Sequence, residues 1–436
     1  SISRRSFLKT ASTAFAVPFI LPSHIWNAKA EEKPNNRLNV GFIGIGMQNR
    51  GHLGAFANRG DARVLAVCDV DSDRLNDAKA RVDNRYKERF GADAQPCDAY
   101  HDFRELLARK DIDAVFIATP DHWHEIVAVM AANAGKHIYC EKPLSLTIRE
   151  GRRMVDAVRK NDVIFQTGSQ QRSGSEFRRA AQMVRNGKIG QIKKVIVNIG
   201  APSRWCDLPT EQAPAGLNWE MWLGPAPYRG YNGKLSPKGI HGFYPWRDYR
   251  EYSGGMTTDW GAHHYDITQW ALGMDETGPV RFVPPGKEGA TSGIKFYYAN
   301  GVEVQHGGDN TLERDGRKES FGIQFIGTEG RIYVDRGKIG FAPEELEEVR
   351  FTDKDVKLYE SNDHHQDWVN CIRAHKRPIC DVEIGYRSVS VCHLCNIAYW
   401  LNKEIHWDPA REVITNNEEA NALLCRKQRA PYCDWA

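Results

Sequence analysis

Residues 36–166 repeat one pattern, in which a short apolar run is followed by a longer charged stretch. Charged stretches such as residues 72–90 and 125–134 carry the period of an amphipathic helix. Short buried strands that alternate with such helices predict a doubly wound parallel sheet, so we expect an α/β protein whose first domain spans these residues. The apolar runs lie at residues 38–44, 64–68, 114–118, 137–140 and 163–165.

The first apolar run leads into a turn that contains glycines, Gly44-Ile45-Gly46-Met47-Gln48-Asn49-Arg50-Gly51. A glycine turn between a strand and a helix lets backbone N–H groups approach a pyrophosphate, which then lies at the helix N-terminus. The third glycine comes later than in the strict G-x-G-x-x-G fingerprint, so the interpretation depends on the strand before the turn and the helix after it. From this turn we expect cofactor contacts from Gly44, Ile45, Gly46, Gln48, Asn49 and Arg50.

The second apolar run is followed by Asp69. An acidic side chain at the end of the second strand can accept both hydroxyls of an adenosine ribose, and it would repel a 2′-phosphate. The sequence therefore predicts NAD as the cofactor, in preference to NADP. The runs at residues 114–118 and 137–140 end at the same crevice of a doubly wound sheet. There we expect cofactor contacts from Thr119, Pro120, His124, Glu141 and Lys142.

The second half of the chain changes to strands joined by tight turns. Residues 192–199 have a strand pattern, and residues 294–305 contain two short runs around Asn300-Gly301, a strong hairpin sequence. We expect a C-terminal α+β domain, residues 167–410, with a large, mostly antiparallel open sheet that covers the cofactor and holds the substrate.

Several motifs occur in a fixed order along the chain: Gly44-x-Gly46, Asp69, Thr119-Pro120-x-x-x-His124, Glu141-Lys142-Pro143 and Asp259-x-Gly261-x-His263. Together they resemble the glucose–fructose oxidoreductase / inositol dehydrogenase (Gfo/Idh/MocA) family over roughly residues 37–405. The resemblance implies an NAD-dependent enzyme that oxidises a CH–OH group of a sugar, a glycoside or a cyclitol. It also implies that Lys142 lies beside the nicotinamide, with His124 near it, and that Asp259 and His263 complete the proton-transfer group.

The chemistry of these side chains supports the same roles. Removal of hydride from a secondary alcohol requires removal of the hydroxyl proton, and a histidine is a natural base near neutral pH. Lys142 can donate a hydrogen bond to the developing alkoxide and later protonate a ketone. Asp259 and His263 are four residues apart, which on a helix places them on one face, where the carboxylate can orient the imidazole. The alternatives are a helix N-cap for Asp259 and a packing role for His263.

The sequence alone leaves two other functions open. Some relatives in the family cleave glycosides by transient oxidation, often at C3, followed by elimination of the aglycone. The presence of Glu141-Lys142-Pro143 favours simple oxidoreduction over this route. A non-catalytic sugar-binding protein is the third reading, and the presence of Lys142, Asp259 and His263 argues against it.

The substrate region is marked by aromatic residues, since six of the twelve tryptophans lie between residues 200 and 270. Aromatic rings beside polar groups suit a sugar, because its apolar face stacks on a ring while its hydroxyls form hydrogen bonds. We expect substrate contacts from Gln170, Gln171, Arg172, Arg247, Trp260 and His264.

Bulk composition excludes several other classes of protein. The net charge is +3 with no long block of like charge, so nucleic-acid binding has no electrostatic support. No uninterrupted apolar run reaches the roughly 18 residues of a membrane span. The ten cysteines form no paired zinc pattern, and adjacent histidines such as His263 and His264 point in different directions, so we expect no metal site.

The first 30 residues resemble a Tat-type export signal. Arg4-Arg5 precedes Phe7-Leu8-Lys9, an apolar stretch follows, and Ala28-Lys29-Ala30 has the form of a cleavage site. An ordinary secretory signal and a retained basic arm are the alternatives. We expect a periplasmic or otherwise exported protein that the Tat machinery translocates with its cofactor already bound, because this route carries folded proteins.

The remaining expectations concern association. Residues 411–436 carry too many apolar groups for a solvated tail, so we expect the tail to pack on its own subunit or on a neighbour. Related enzymes commonly pair through their sheets, and an uncovered apolar sheet face seeks a partner. We therefore expect a homo-oligomer, either a dimer or a tetramer.

Overall fold

The computed structural model describes residues 37–239, 242–308 and 311–434. The segment for which we predict a Tat signal, residues 1–30, lies outside these described residues. Within the described ranges, no helix is long and apolar enough to cross a membrane.

The first domain contains a parallel sheet of six strands: β1 (Leu38–Ile43), β2 (Ala62–Cys68), β3 (Asp98–Tyr100), β4 (Ala114–Ile117), β5 (His137–Cys140) and β6 (Phe165–Thr167). The order β3-β2-β1-β4-β5-β6 confirms the predicted doubly wound fold. The order reverses between β1 and β4, and at such a point the carboxyl ends of the strands open a crevice for a ligand. The helices between the strands are α1 (Met47–Ala57), α2 (Ser72–Phe90), α3 (Phe103–Leu107), α4 (Asp121–Asn133) and α5 (Ile148–Asn161).

Local sequence explains where these helices begin. Asp71 caps α2 by accepting hydrogen bonds from two backbone N–H groups of its first turn. Thr147 and Glu150 form a reciprocal capping box at the start of α5. In contrast, α1 follows Gly46, which supplies no side-chain cap. The first N–H groups of α1 therefore stay available to a ligand.

The second domain contains a sheet of nine strands in the order β15-β14-β13-β7-β10-β9-β8-β16-β17, with a separate hairpin, β11 and β12. All described pairs in this sheet are antiparallel except β7 with β10, which confirms the mostly antiparallel prediction. The strands are β7 (Ile192–Asn198), β8 (Arg281–Val283), β9 (Lys295–Tyr297), β10 (Glu303–His306), β11 (Leu312–Arg314), β12 (Arg317–Glu319), β13 (Gly322–Gly327), β14 (Arg331–Asp335), β15 (Lys338–Ala342), β16 (Ile405–Asp408) and β17 (Val413–Ile414). The helices are α6 (Ser175–Arg185), α7 (Trp219–Leu223), α8 (Met256–Asp259), α9 (Gly261–Leu272), α10 (His364–Ala374), α11 (Val382–Leu401) and α12 (Glu418–Ala422).

The two faces of the large sheet differ in polarity. Its inner face packs buried apolar side chains such as Val195, Val304 and Phe296 into the core. On the opposite side, Lys194 donates to Gln305 at 2.5 Å and also pairs with Glu303. Lys194 shares this outer face with Ile196 and Ile326, which are partly exposed, so the face carries both charged and apolar groups. The oligomer stays a prediction.

One helix from the second half of the chain returns to the first domain. Trp368 of α10 is fully buried, and its ring lies 4.9 Å from the ring of Phe116 on β4, centroid to centroid. Phe42 stacks on Phe116 from the neighbouring strand at 4.7 Å. The core of the first domain is therefore completed by a helix that lies about 200 residues further along the chain than its last strand.

The described part of the tail packs on its own chain. Leu424 is buried, and its carbonyl accepts a hydrogen bond from the backbone N–H of Arg149 at 2.9 Å. The ring of Tyr432 lies 5.4 Å from that of Trp123 on α4. Of the two alternatives for the tail, packing on its own subunit is the one observed.

Candidate cofactor and active site

A cleft runs along the carboxyl ends of the first sheet and is lined on its other side by the second domain. It brings together most of the residues that the sequence predicts for cofactor binding and catalysis. Those that line it are Gly44, Gly46, Gln48, Asp69, Thr119, Pro120, His124, Glu141, Lys142, Arg247 and Asp259.

The glycine turn has the shape that a pyrophosphate requires. Gly44 has a φ of +79°, and a Cβ at this position would lie 2.8 Å from the backbone nitrogen of Thr119. Only glycine fits without displacing that strand end. At Gly46 a Cβ would meet nothing within 4 Å, so the chain there faces open space at the uncapped start of α1. The turn and the helix N-terminus together fit the phosphates of a dinucleotide.

Three other predicted residues of the turn support it rather than face the cleft. Asn49 is fully buried, and its amide nitrogen donates to the Gly44 carbonyl at 2.9 Å. Arg50 pairs with Asp77 of α2 at 2.8 Å. Ile45 is buried, and its backbone N–H donates to the carboxylate of Asp69 at 2.6 Å. These contacts fix the loop that the cofactor would meet.

Asp69 lies at the end of β2, as predicted, and lines the cleft. Its two oxygens accept hydrogen bonds from the backbone N–H groups of Ile45 and Asp71. Burial raises the pKa of Asp69, and the positive charge of Arg74 opposes that shift. The carboxylate keeps lone pairs beyond these two hydrogen bonds, so it can also accept ribose hydroxyls.

A segment of the second domain covers this adenosine end of the cleft, and we call its residues 201–239 and 242–255 the roof segment. The backbone N–H of Ser72 donates to the Gly216 carbonyl at 2.9 Å, and that of Asn218 donates to the Val70 carbonyl at 2.9 Å. Arg74 donates to the Pro237 carbonyl at 2.9 Å. The roof segment is thus hydrogen-bonded to the loop that carries Asp69. Sequence reasoning noted its aromatic residues but missed its position.

Lys142 and Asp259 meet at the opposite end of the cleft. The Nζ of Lys142 donates to Oδ1 of Asp259 at 2.6 Å and to its carbonyl at 3.2 Å. Burial alone would raise the pKa of Asp259, but the charges of Lys142 and Arg247 outweigh it and lower the pKa. The Nε of Arg247 lies 3.7 Å from the same carboxylate oxygen. The carboxylate therefore stays ionised and holds the ammonium group in place.

His263 follows Asp259 after a break between α8 and α9 at Trp260. Its ring is buried, and its Nδ1 has no hydrogen-bond partner within the described residues. Burial, together with the nearby charges of Lys142 and Arg336, lowers the pKa of His263 well below its ordinary value. The imidazole is therefore neutral and able to accept a proton. Unlike Asp259, His263 is not among the residues that line the cleft.

His124 lines the cleft and joins two of its loops. Its Nδ1 lies 2.8 Å from the carbonyl of Pro143, and its Nε2 lies 2.9 Å from the carbonyl of Thr119. The ring thus bridges the end of β4 and the turn that carries Lys142. A neutral imidazole has one N–H to donate, so one of these two carbonyls is satisfied at a time.

The predicted substrate residues differ in where they lie relative to the cleft. Arg247 lines the cleft, with its guanidinium carbon 4.3 Å from the centre of the Trp246 ring. Trp260 lies under the guanidinium group of Arg336 at 4.6 Å, outside the lining residues. Gln170 lies in a short 3-10 turn after β6 that is likewise away from the cleft lining. Gln171 is buried, and its amide, oriented to satisfy both neighbours, donates to the carbonyl of His263 at 3.2 Å.

The structure corrects the prediction for Arg172 and His264, which lie in the interior. Arg172 is 1 % exposed, and its guanidinium group is held by Asp266 at 2.8 Å and by Asp275 at 2.7 Å. His264 is fully buried, with Nδ1 3.2 Å from the carbonyl of Asn198. Ion pairing and burial give both residues a structural role.

Sequence reasoning missed Asp121, which lines the cleft between Pro120 and His124. Its carboxyl is buried and accepts a hydrogen bond from Ser253 at 2.5 Å. Burial raises the pKa of Asp121 to about 7. Its place directly after the end of β4 was the one sequence signal that could have identified it.

Sequence reasoning also missed the hydrogen bonds that Glu141 accepts from His52 and Gln48. This carboxylate is buried and accepts hydrogen bonds from His52 at 2.9 Å and from Gln48 at 3.1 Å, both on α1. Burial alone would raise the pKa of Glu141, but these hydrogen bonds and the neighbouring charges lower it. Glu141 is therefore held as a carboxylate by the helix that begins at the glycine turn.

Comparison with known proteins assigns both domains. Residues 38–169 match the family model described as the oxidoreductase family, NAD-binding Rossmann fold. Residues 175–434 match the model described as the oxidoreductase family, C-terminal alpha/beta domain. The chain belongs to the Gfo/Idh/MocA oxidoreductase family. Its cofactor is NAD, and the glycine turn, the uncapped start of α1 and Asp69 fit that group.

Three individual relatives share between 19% and 26% sequence identity with this chain. A myo-inositol 2-dehydrogenase of Thermotoga maritima is 26% identical over 304 residues, which cover 68% of this chain and 75% of the relative. A glycosyl hydrolase family 109 protein of Shewanella baltica is 26% identical over 396 residues, which cover 84% of this chain and 81% of the relative. The solved WlbA dehydrogenase from Bordetella pertussis, in complex with NADH and UDP-GlcNAcA, matches with a TM-score of 0.60 and 19% identity, covering 85% of this chain and 99% of that one. This likeness supports the fold.

Proposed function

We propose that this member of the family oxidises a secondary hydroxyl group of a sugar, a glycoside or a cyclitol. The observation that carries the proposal is the contact between Lys142 and Asp259, which lies in the same cleft as the glycine turn and Asp69. The activity named for the myo-inositol 2-dehydrogenase relative supports the substrate class.

Bound NAD supplies the hydride acceptor in this reaction. Asp259 holds the Nζ of Lys142 at one point of the cleft, where the lysine can donate to the oxygen of the reacting hydroxyl. His263 is neutral and its Nδ1 has no hydrogen-bond partner within the described residues, so the imidazole can take up the hydroxyl proton by way of Lys142 and Asp259. Arg247 and Trp246 offer a charged donor and an aromatic face to the rest of the substrate.

We further propose that the cofactor stays bound through many turnovers. Dissociation of a dinucleotide from the adenosine end requires that the roof segment separate from the loop after β2. That separation breaks the hydrogen bonds of Ser72, Asn218 and Arg74 across the cleft. A retained cofactor also suits an exported protein, because the periplasm has no obvious supply of NAD.

A second candidate function is cleavage of a glycoside through a transient ketone. Oxidation of a hydroxyl acidifies the neighbouring C–H, and elimination then needs a further group that exchanges a proton. Asp121 lines the cleft and has a pKa of about 7, so it could serve in this step. The match to a glycosyl hydrolase family 109 protein also favours it.

The test of the main proposal uses the purified protein without added cofactor. We expect the near-ultraviolet absorbance of reduced nicotinamide to appear when the correct sugar or cyclitol is added from a panel. Release of an aglycone from a chromogenic glycoside, without net reduction of the nicotinamide, would instead support the second function. The absence of both signals across the panel would overturn the catalytic proposal.

Export by the Tat route remains a proposal that depends on the first 30 residues. We expect the native protein in the periplasmic fraction, and in the cytoplasmic fraction when Arg4 and Arg5 are both replaced by lysine. A native protein that stays in the cytoplasm contradicts the export proposal and leaves the catalytic one untouched.

A further inference from the structure

Three side chains form a continuous hydrogen-bonded chain that leads out of the cleft. Oε1 of Glu141 lies 2.9 Å from Nε2 of His52. Nδ1 of His52 lies 2.8 Å from Nε2 of His365. The three residues come from distant parts of the sequence: the turn after β5, helix α1 and helix α10. Both distances are within the range of good hydrogen bonds.

The carboxylate at the inner end of this chain sets the direction of its first hydrogen bond. Glu141 is ionised and can only accept, so His52 donates to it from Nε2. With a single proton on the His52 ring, Nδ1 of His52 accepts from Nε2 of His365. Each histidine in this arrangement has one proton between itself and the next group towards the cleft.

The two ends of the chain lie in different surroundings. Glu141 lines the cleft together with Lys142. His52 is buried and packs against the rings of Phe116 and Tyr139 at 5.4 Å and 5.2 Å. His365, on α10, is partly exposed to solvent. Burial and the neighbouring histidines lower the pKa of His365 to about 3, so its ring is neutral and can both donate and accept.

The proposed reaction requires a proton path. When CH–OH becomes C=O, the C–H electron pair leaves as hydride to NAD, and the O–H proton must also leave the site. The reverse half-reaction, in which an acceptor carbonyl takes up hydride at carbon and a proton at oxygen, needs a proton delivered. The chain of Glu141, His52 and His365 offers this proton a route through the protein, from the cleft lining to a partly exposed side chain.

We propose that Glu141, His52 and His365 form a proton relay between the cleft and the solvent. Inward transfer moves a proton from water to Nδ1 of His365, the Nε2 proton of His365 to Nδ1 of His52, and the Nε2 proton of His52 to Oε1 of Glu141. Each ring gains one proton and loses one, so neither becomes charged. Outward transfer begins when Glu141 takes up a proton from the reaction end of the cleft, which it lines together with Lys142, and then reverses the same steps.

A purely structural role would predict a different outcome on substitution. The carboxylate of Glu141 is tightly packed, since a Cβ on Gly168 would lie 2.7 Å from its Oε1. Glutamine at position 52 or 365 keeps an N–H donor for the next group but cannot accept a proton and pass on another. His52→Gln and His365→Gln therefore separate positioning from relay, and His365→Phe removes both.

The experiment follows one half-reaction of the cofactor-loaded enzyme in weak buffer. Sugar is mixed with enzyme, reduced nicotinamide is followed by absorbance, and released protons are followed by a pH indicator. In the wild type we expect proton release to keep pace with the absorbance change. In His52→Gln and His365→Gln we expect the absorbance change to persist while proton release lags at least tenfold. His406→Gln, at an exposed histidine paired with Glu404, is the matched control.

The inference rests on the proposed function, and the two can fail separately. If the wild type gives no absorbance change with any sugar, the proposed function fails. If the absorbance change appears and proton release keeps pace in both glutamine variants, the relay is wrong. Bound nicotinamide, measured after denaturation of each variant, confirms that the variants fold and load.

A second readout needs neither substrate nor cofactor. Nitrogen-15 NMR of histidine-labelled, cofactor-free protein reports which ring nitrogen carries the proton. We expect protonated Nε2 and unprotonated Nδ1 on His52, and a change in its signals in His365→Phe but not in His406→Gln. A protonated Nδ1 on His52 would contradict the hydrogen-bond direction on which the relay depends.

Discussion

The two ends of the cleft are built in different ways. At the adenosine end, Asp69 is held by backbone N–H groups, and the roof segment is attached mainly through backbone carbonyls. At the reaction end, the contacts join charged side chains, because the carboxylate of Asp259 lies 2.6 Å from Lys142 and 3.7 Å from Arg247. Backbone contacts suit a group that stays in place, whereas ionisable side chains suit one that reacts.

The largest expected effect is at the reaction end. Lys142→Ala removes the ammonium group that Asp259 positions, so we expect single-turnover hydride transfer to fall roughly 10²–10⁴-fold while bound NAD is retained. The measurement is stopped-flow absorbance after mixing with sugar. Lys403→Ala, at an exposed lysine paired with Glu419, is the matched control and should be unchanged. Near wild-type transfer in Lys142→Ala would remove this lysine from the mechanism.

The next largest effect is at the adenosine end. Asp69→Ser removes a charged acceptor for the ribose hydroxyls and the repulsion of a 2′-phosphate, while Arg74 stays nearby. Loss of hydrogen bonds to a charged group predicts roughly 10- to 100-fold weaker NAD binding, with relatively better NADP binding. Calorimetric titration of cofactor-stripped protein measures both. Asp73→Ser, at an exposed residue in the first turn of α2, should leave the preference as it is, and an unchanged preference in Asp69→Ser would contradict the role of that carboxylate.

A smaller effect tests the roof segment. Arg74→Ala loses the hydrogen bond to the Pro237 carbonyl and the contact with the ring of Tyr244. A net hydrogen bond is worth about 0.5–1.5 kcal/mol, which predicts cofactor release roughly two- to tenfold faster. Arg81→Ala on the same helix removes only an exposed pair with Asp77 and serves as the control. Equal release rates in both variants would mean that the roof does not retain the cofactor.

The last effect concerns pH and stability. Asp121 has a pKa of about 7 in the folded protein, above the value of about 4 of an unfolded aspartate. The folded state therefore binds this proton more tightly, and the contribution of Asp121 to the free energy of unfolding falls as pH rises from about 4 to about 7. Asp121→Asn lacks this dependence. Thermal unfolding across that range should show the wild type losing stability relative to the variant, and parallel curves would contradict the assigned pKa.

What the sequence could predict depends on how far apart the interacting residues lie. Gly44 and Asp69 were identified because a strand, a turn and a helix are local features, and the structure places both at the cleft. His52 was missed because its partners, Glu141 and His365, lie 89 and 313 residues away along the chain. No local pattern distinguishes such a histidine from one that faces solvent.

The incorrect prediction for Arg172 has the same cause, a contact between residues that lie far apart in the sequence. Arg172 follows the end of β6, where a polar residue is expected to face a ligand. Its partner Asp266 lies 94 residues away and draws the guanidinium group into the interior. The sequence therefore predicted where the chain turns, but not which buried charge would meet which partner.

The return of α10 to the first domain means that the boundary between the two family models does not coincide with the boundary of the first core. A fragment that ends at residue 174 contains the whole first sheet but lacks Trp368, which packs on the rings of Phe56 and Phe116. The buried core of the nucleotide-binding half is therefore complete only when a helix from the second half of the chain is present.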